Sequence, residues 1–276
     1  MAKSRFIVSD ELWEKFRVCI ALPVNRDPSR GGRPRTDDRK CLDGIFFVLI
    51  TGCQWNALSA TGICPSSTAN DRFRQWVKDG TFERFFHSGI EEYDELVGID
   101  WSFLSMDGAM TKAPLGGKRT GPNPTDRAKT GTKRSMLVDA RGIPLAVVVD
   151  GANVHDMCLF GQTLDALASL PIDRPKPTAR KPQGLCLDKA YDYPIIRELC
   201  ELFGFQAHIR SRGEEVMDKK RQPRHKARRW VVERTHSWLN RFRRILIRWE
   251  KDDLYYQGML HLACGIIVYQ HSSVFG

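Results

Sequence analysis

Three acidic residues stand where solubility alone is a poor explanation for a carboxylate. Asp107 follows the apolar run Phe103-Leu104-Ser105-Met106, and Asp188 follows Gly184-Leu185-Cys186-Leu187, so each ends a predicted strand. In open α/β sheets, ligands bind at the carboxyl ends of strands. Glu233 lies within Arg228 to Lys251, which reads as one amphipathic helix. At about 100° per residue, Val231, Trp238, Phe242, Ile245 and Trp249 share one side, and Glu233 faces away from them among Arg229, Ser237, Asn240 and Arg244. Acids from two strand ends and one helix supply the hard oxygen donors that Mg²⁺ takes, the rest of its shell being water and phosphate oxygens. Two such ions a few Å apart activate a water or a hydroxyl for attack at phosphorus and stabilise the leaving oxygen. Asp139, Asp150, Asp156 and Asp192 also lie near strand ends or turns, where an aspartate most often caps. Spacing does not choose among them.

The elements that must position these residues divide into two kinds. Up to about Leu96 the pattern is helical. Ser9 caps a helix carrying Leu12, Phe16, Cys19 and Ile20; Asp37 and Asp38 open a second that ends at Gly52; Ser66 opens a third with Phe73, Trp76 and Val77; Thr81 to Leu96 is a fourth. Short helices behind the basic arm SRGGRPR are compatible with a helix-turn-helix DNA-binding unit, with Arg72, Arg74 and Lys78 as its basic exposed face. From Trp101 the pattern becomes strand-like. Ser135 to Val138 and Pro144 to Val149 flank a turn at Ala140-Arg141-Gly142, which predicts an antiparallel hairpin. A helix over Met157 to Leu170, a strand at 184–187, a helix over Pro194 to Phe203, a strand over Phe205 to Ile209 and the helix bearing Glu233 follow, with a basic loop over Arg210 to Ala227 and a closing helix from Asp253. This order predicts an α/β fold with a mixed sheet flanked by helices, divided into residues 1–97 and residues 98–276.

Composition narrows the partners. The chain has 276 residues, a formal net charge of +10 and 42% hydrophobic residues, enough for a real core and basic enough to favour a polyanion. Between Arg210 and Lys251 stand 15 Lys or Arg against 5 Asp or Glu. The excess of the whole chain is thus carried by this one stretch. Arg241, Arg243, Arg244 and Arg248 share a sign, so i,i+4 pairing cannot hold them as a neutral face, and they could track a phosphate backbone. Lys112 and the predicted loop Lys129 to Arg134, with Lys133, could hold phosphates near Asp107. Trp238 and Trp249 are expected in the core, and His236 is the better histidine candidate for a contact near Glu233. The eight cysteines form no CxxC pair and no zinc spacing, and are expected as core thiols. No window reaches the roughly 20 apolar residues of a bilayer span and the first residues lack an apolar signal core, so a cytoplasmic protein without a membrane partner is expected.

Four segments carry a resemblance: Ser105-Met106-Asp107-Gly108; the run Thr120 to Asp156; Leu187-Asp188-Lys189-Ala190-Tyr191-Asp192; and Arg229 to Arg234, with Gly32-Arg33-Pro34-Arg35 and Gly52-Cys53-Gln54-Trp55 near the start. Together they resemble an insertion-sequence transposase of the IS5 group, over nearly the whole chain. The resemblance implies a DDE transposase with a ribonuclease-H-like core, in which Asp107, Asp188 and Glu233 are catalytic and bind two Mg²⁺ or Mn²⁺ ions. It implies double-stranded DNA as partner (terminal inverted repeats and target), a homodimer or larger synaptic complex, and a bacterial, nucleoid-associated setting. Arg229 matches the arginine of the family's Tyr-Arg-Glu-Lys signature, whereas Lys226 replaces its tyrosine and Asn240 its lysine. Arg241 or Arg244 could then make the phosphate contact. Two other readings stay open: a sequence-specific DNA-binding regulator that uses only the N-terminal helices, or a catalytically decayed transposase copy; and a ribonuclease-H-like nuclease that cuts without joining.

Overall fold

In the computed structural model, residues 6–21, 35–209 and 230–272 are described. The sheet is built on β1 (Phe103–Lys112), whose neighbours run in opposite senses. On one side β1 pairs antiparallel with β3 (Thr130–Val138), which pairs antiparallel with β4 (Pro144–Gly151) and with the two-residue β2 (Gly121–Pro122). On the other side β1 pairs parallel with β5 (Gly184–Leu187), and β5 parallel with β6 (Gln206–Ile209). The result is the expected mixed sheet flanked by helices. β5 is buried throughout, as its unbroken apolar run requires of an inner strand.

The N-terminal helices follow their sequence signals closely. In α1 (Asp10–Arg17) the Ser9 hydroxyl accepts from Leu12 N; in α2 (Asp38–Thr51) Asp37 caps the start, and Gly52, at φ 70°, closes the end in the left-handed conformation that glycine tolerates. After a 3₁₀ segment (Trp55–Thr61) come α3 (Ser66–Lys78) and α4 (Thr81–Leu96). Phe16 sits at the centre of their core, its ring 5.2 Å from those of Trp76 and Phe85. The chain then places α5 (Asp156–Ala168) on one face of the sheet, α6 (Pro194–Leu202) beside β6, and α7 (Trp230–Leu239) across β1 and β3. Last comes α9 (Asp253–Ser272), buried along most of its length, which packs against α4 and α3 and against β4. The N-terminal helices and the sheet therefore share one hydrophobic core. No single helix among the described residues is long and apolar enough to cross a membrane.

Three expectations are corrected. Asp107 does not end its strand: β1 continues five residues further, to Lys112, because Lys112 and Thr111 still pair with Gly131 and Thr132. Lys129 to Arg134 is not a loop beyond its first residue, since 130–138 is the partner that extends β1. Arg228 to Lys251 is not one helix. α7 stops at Leu239, where Arg241 N and Phe242 N tighten onto Trp238 O and Leu239 O. A single turn, α8 (Arg243–Leu246), follows, and Ile247 is drawn into a bridge with Lys112, Arg248 N donating to Lys112 O at 2.8 Å. Pairing with the extended end of β1 thus takes the backbone that a longer helix would have used. Trp249, expected in the core, is 41% exposed as a consequence.

Candidate active site

The parallel pairing of β1 and β5 ends close to two of the acids. Ser105 lies opposite Cys186, the last pair the two strands form, and Asp107 and Asp188 each follow two residues later. Asp188 leaves β5 as the N-cap of a 3₁₀ turn (Lys189–Tyr191), its carboxylate accepting from Ala190 N. Tyr191 is buried beneath, 1% exposed. Its hydroxyl is held well above its ordinary range, first by burial and then by the negative charges of Asp156, Asp107 and Asp188. Three carboxylates thus share the neighbourhood of one buried phenol.

The third predicted acid arrives from α7. His236 is 8% exposed, its ring facing the main chain of Asp107. Burial, with the Arg134 charge beside it, pushes it down to about 3, so it stays neutral. Glu233 lies three residues earlier, on the same side of the helix, and is exposed. At the other end of this side Asn240 accepts from Arg134 Nη2 at 2.9 Å. Thr235 donates to Gly142 O at 2.5 Å and so ties α7 to the hairpin turn. Among the described residues, no three His, Cys, Asp or Glu side chains stand close enough as placed to hold a metal ion.

The competing aspartates make the following bonds, and Asp107 itself accepts from Gly108 N at 2.9 Å. Asp139 is a turn cap: it accepts from Ile143 N at 2.8 Å and Arg141 N at 2.9 Å, and burial nonetheless raises its pKa. Asp150 accepts from Gly151 N at 2.7 Å, and Asp192 pairs with Arg197 at 2.7 Å. Asp156 differs. It opens α5 over Gly108, where an added Cβ would overlap its Oδ1, and its Oδ2 lies 3.1 Å from Lys133 Nζ. Gly108 is therefore the residue that lets a fourth carboxylate approach β1 next to Asp107. Side-chain alternation along a strand would have shown that Gly108 and Lys133 share a face; nothing in the sequence showed that α5 begins on it.

The basic residues divide by burial. Lys129, Arg241, Arg74 and Lys78 are exposed, Arg74 lying 4.9 Å over the Tyr255 ring. Arg229 lies outside the described residues. Four expected DNA contacts are buried and engaged in the fold. Lys133 donates to Val154 O at 2.7 Å and pairs with Asp156; Arg134 is held under α7 by Asn240; Arg244 pairs with Glu250 at 2.6 Å; Arg72 pairs with Asp38 and lies 5.7 Å over Trp76. Arg248, 1% exposed, is buried as well: it donates to the carbonyls of Lys118, Arg119 and Glu250 and so fastens the loop after β1. A run of one sign on the sequence was thus partly consumed by buried carbonyls and carboxylates. Lys112 and Lys118, 61% and 73% exposed, stand free of such burial at the same end of β1.

Comparison with known proteins places this arrangement in a family. Residues 8–86 match the family model described as "Putative transposase of IS4/5 family", and residues 94–267 match that of the "Transposase DDE domain". From Burkholderia cepacia, the "Putative transposase for insertion sequence element IS402" is 38% identical over 156 residues, covering 55% of this chain and 69% of the relative. The "Insertion element IS402 uncharacterized 16.2 kDa protein" is 31% identical over 119 residues, 43% of this chain and 81% of that protein. The solved Mos1 mariner paired end complex with Mn aligns at a TM-score of 0.29 and 13% identity over 91% of this chain and 83% of that one, a likeness too loose to carry any inference. With a family model over 94–267, well over half of the chain, and a relative 38% identical to it, the chain belongs to the insertion-sequence DDE transposases and is a transposase.

Proposed function

We propose that this transposase binds double-stranded DNA at the terminal inverted repeats of its element, cleaves a phosphodiester there, and joins the freed 3′ end to target DNA, using two Mg²⁺ or Mn²⁺ ions held by Asp107, Asp188 and Glu233. The observation that carries this reading is that Asp107 and Asp188 both bear on the buried Tyr191 hydroxyl, two residues beyond the last pair of β1 with β5, while the helix bearing Glu233 rests on β1. The donor set suits hard divalent cations, being all carboxylate oxygen. Three like-charged carboxylates would hold such a cation by offsetting its charge, and Glu233 is exposed on its helix. When bound, such ions supply an activated attacking oxygen and stabilise the leaving one.

The rest falls to the chain itself. Neutral His236 holds α7 against the Asp107 main chain without adding a charge that would compete with a cation. Thr235 fixes the helix at its middle and Arg134, through Asn240, just beyond its end. Lys129 and Arg241, together with Lys112, present exposed positive charge for phosphates at the end of β1. Arg74 and Lys78 do so on α3 of the helical region, residues 1–97, to which DNA recognition is assigned; residues 98–276 are the catalytic part. Two DNA ends must meet, so a dimer or larger synaptic complex is the working form. The test is cleavage and strand transfer on DNA carrying the element's ends. Asp188→Asn and Glu233→Gln are expected to abolish both in Mg²⁺ and in Mn²⁺ while leaving DNA binding intact. Full activity in either variant refutes the assignment.

A further inference from the structure

The end of the sheet opposite the acids holds a second feature. Where β1, β5 and β6 begin, a cavity of about 630 Å³ opens to solvent, lined among others by Trp101, Gln183, His208 and three cations of one loop, Lys176, Arg180 and Lys181. No Asp or Glu is among the described residues that line it. Gly184 on its wall is four residues before Asp188, which at about 3.3 Å per residue puts the cavity about 13 Å along the sheet from the acids.

The loop that carries the cations is stiff. Pro171, Pro175, Pro177 and Pro182 fix its φ angles. The Arg174 guanidinium lies 3.7 Å over the Phe205 ring, donates to Phe203 O at 2.7 Å and donates to Gln183 Oε1 at 2.7 Å. Gln183, 4% exposed, donates in turn to Pro175 O at 2.7 Å. Thr178 and Lys181 exchange backbone bonds, both of 3.1 Å. Arg174 is thus spent on fastening the loop, whereas Lys176, Arg180 and Lys181 are exposed and form no ion pair among the described residues. Three like charges on a rigid loop repel one another and add nothing to the fold; a solvated face needs neither the rigidity nor the acid-free wall. Both are what prepositioned recognition of a polyanion requires.

We propose that this loop is a second DNA contact, gripping the sugar–phosphate backbone of duplex DNA outside the base pairs at the acids and without regard to sequence, since lysine and arginine reaching phosphates carry no sequence information. The proposal rests on DNA being the substrate, as proposed above. Its test is the variant Lys176→Gln/Arg180→Gln/Lys181→Gln, with binding of an unrelated duplex followed by fluorescence anisotropy across a salt series. Each neutralised phosphate contributes about 0.9 to the slope of log affinity against log salt, so the slope is expected to shrink by about 2 to 3 while the melting temperature stays put. An unchanged slope in a variant whose parent binds DNA overturns this site alone; a parent chain that binds no DNA overturns the functional reading with it. Should the triple variant melt lower than the parent, a photo-crosslinker replacing Thr178 in the otherwise unaltered chain decides the matter. Attachment to the duplex supports the contact, and its absence refutes it.

Discussion

Replacing Asp156 by asparagine keeps the side chain's shape and removes the one carboxylate that offsets Lys133. The Lys133 side chain is 5% exposed and that of Asp156 22%, with Nζ 3.1 Å from Oδ2 and 2.7 Å from Val154 O. Breaking a buried pair from one side costs about 3–5 kcal/mol, because the remaining charge stays buried without its partner. Asp156 is more than a fifth exposed, so the lower end applies, about 3 kcal/mol. Loss of an acid from the first turn of α5 adds about 0.5 kcal/mol. At about 2–4 °C per kcal/mol for a chain of this size, Asp156→Asn should melt roughly 7–14 °C lower. Lys133→Met leaves the better hydrated partner behind and should cost less, about 1–2 kcal/mol. Lys133→Met/Asp156→Leu should return close to the parent, since an apolar pair of similar volume replaces a buried ion pair at little cost. With Asp156→Leu as the single at that corner, costing at least as much as Asp156→Asn, the cycle then shows a coupling of about 5 kcal/mol. Urea unfolding followed by circular dichroism and tryptophan fluorescence measures each corner, with equal m-values required. An Asp156→Asn variant within about 0.5 kcal/mol of the parent, the range of an ordinary surface change, or strictly additive costs, would show that the pair is not what holds α5 on β1.

Three further outcomes follow from the same fold. Gly258→Ala places a Cβ 2.5 Å from Val77 Cγ2, so α9 must shift from α3, with a loss of about 1–3 kcal/mol readable by thermal melting. Arg248→Lys keeps the charge but loses the fork that reaches the Lys118, Arg119 and Glu250 carbonyls; limited proteolysis should then cut within 115–121, and an uncut loop contradicts the clamp. His261, stacked on Phe86 and pushed by burial down to about 3, is neutral in the folded state at pH values where the unfolded chain binds a proton. Its stabilising contribution is present above the ordinary histidine range and is lost as pH falls from about 6.5 toward 3, with a slope of about 1.4 kcal/mol per pH unit. His261→Leu should flatten that part of the acid limb in pH-dependent urea unfolding; an unaltered limb counts against it.

How far the sequence could be read varies with the range of the interaction. Caps and apolar periods are local, and Ser9, Asp37, Gly52 and the stretch 81–96 gave helix limits that the structure reproduces. The hairpin at 140–142 was legible for the same reason. Arg228 to Lys251 was not, because its break comes from a partner more than a hundred residues away, the free end of β1 at Lys112. Among the acids, spacing left Asp107, Asp139, Asp150, Asp156, Asp188 and Asp192 on equal terms. Backbone N–H groups do not separate them, since Asp107 and Asp188 accept such bonds as Asp139 and Asp150 do; the structure adds only that β1 and β5 pair up to two residues before Asp107 and Asp188. Burial of Arg72, Lys133, Arg134, Arg244 and Arg248 was equally hidden: a cation's sequence neighbours do not tell whether a carbonyl or a carboxylate waits for it across the fold.

The closing helix also fixes a distance. Because α9 is wedged between α4 and β4, the N-terminal bundle cannot swing relative to the sheet without tearing open the interior they hold in common. On the function proposed above, a duplex gripped by the first four helices is therefore presented to the acids at a constant offset, as by a caliper whose jaws have been locked. Where the bond is cut, counted in base pairs from the recognised sequence, would then be set by the protein's own dimensions and not by a flexible tether.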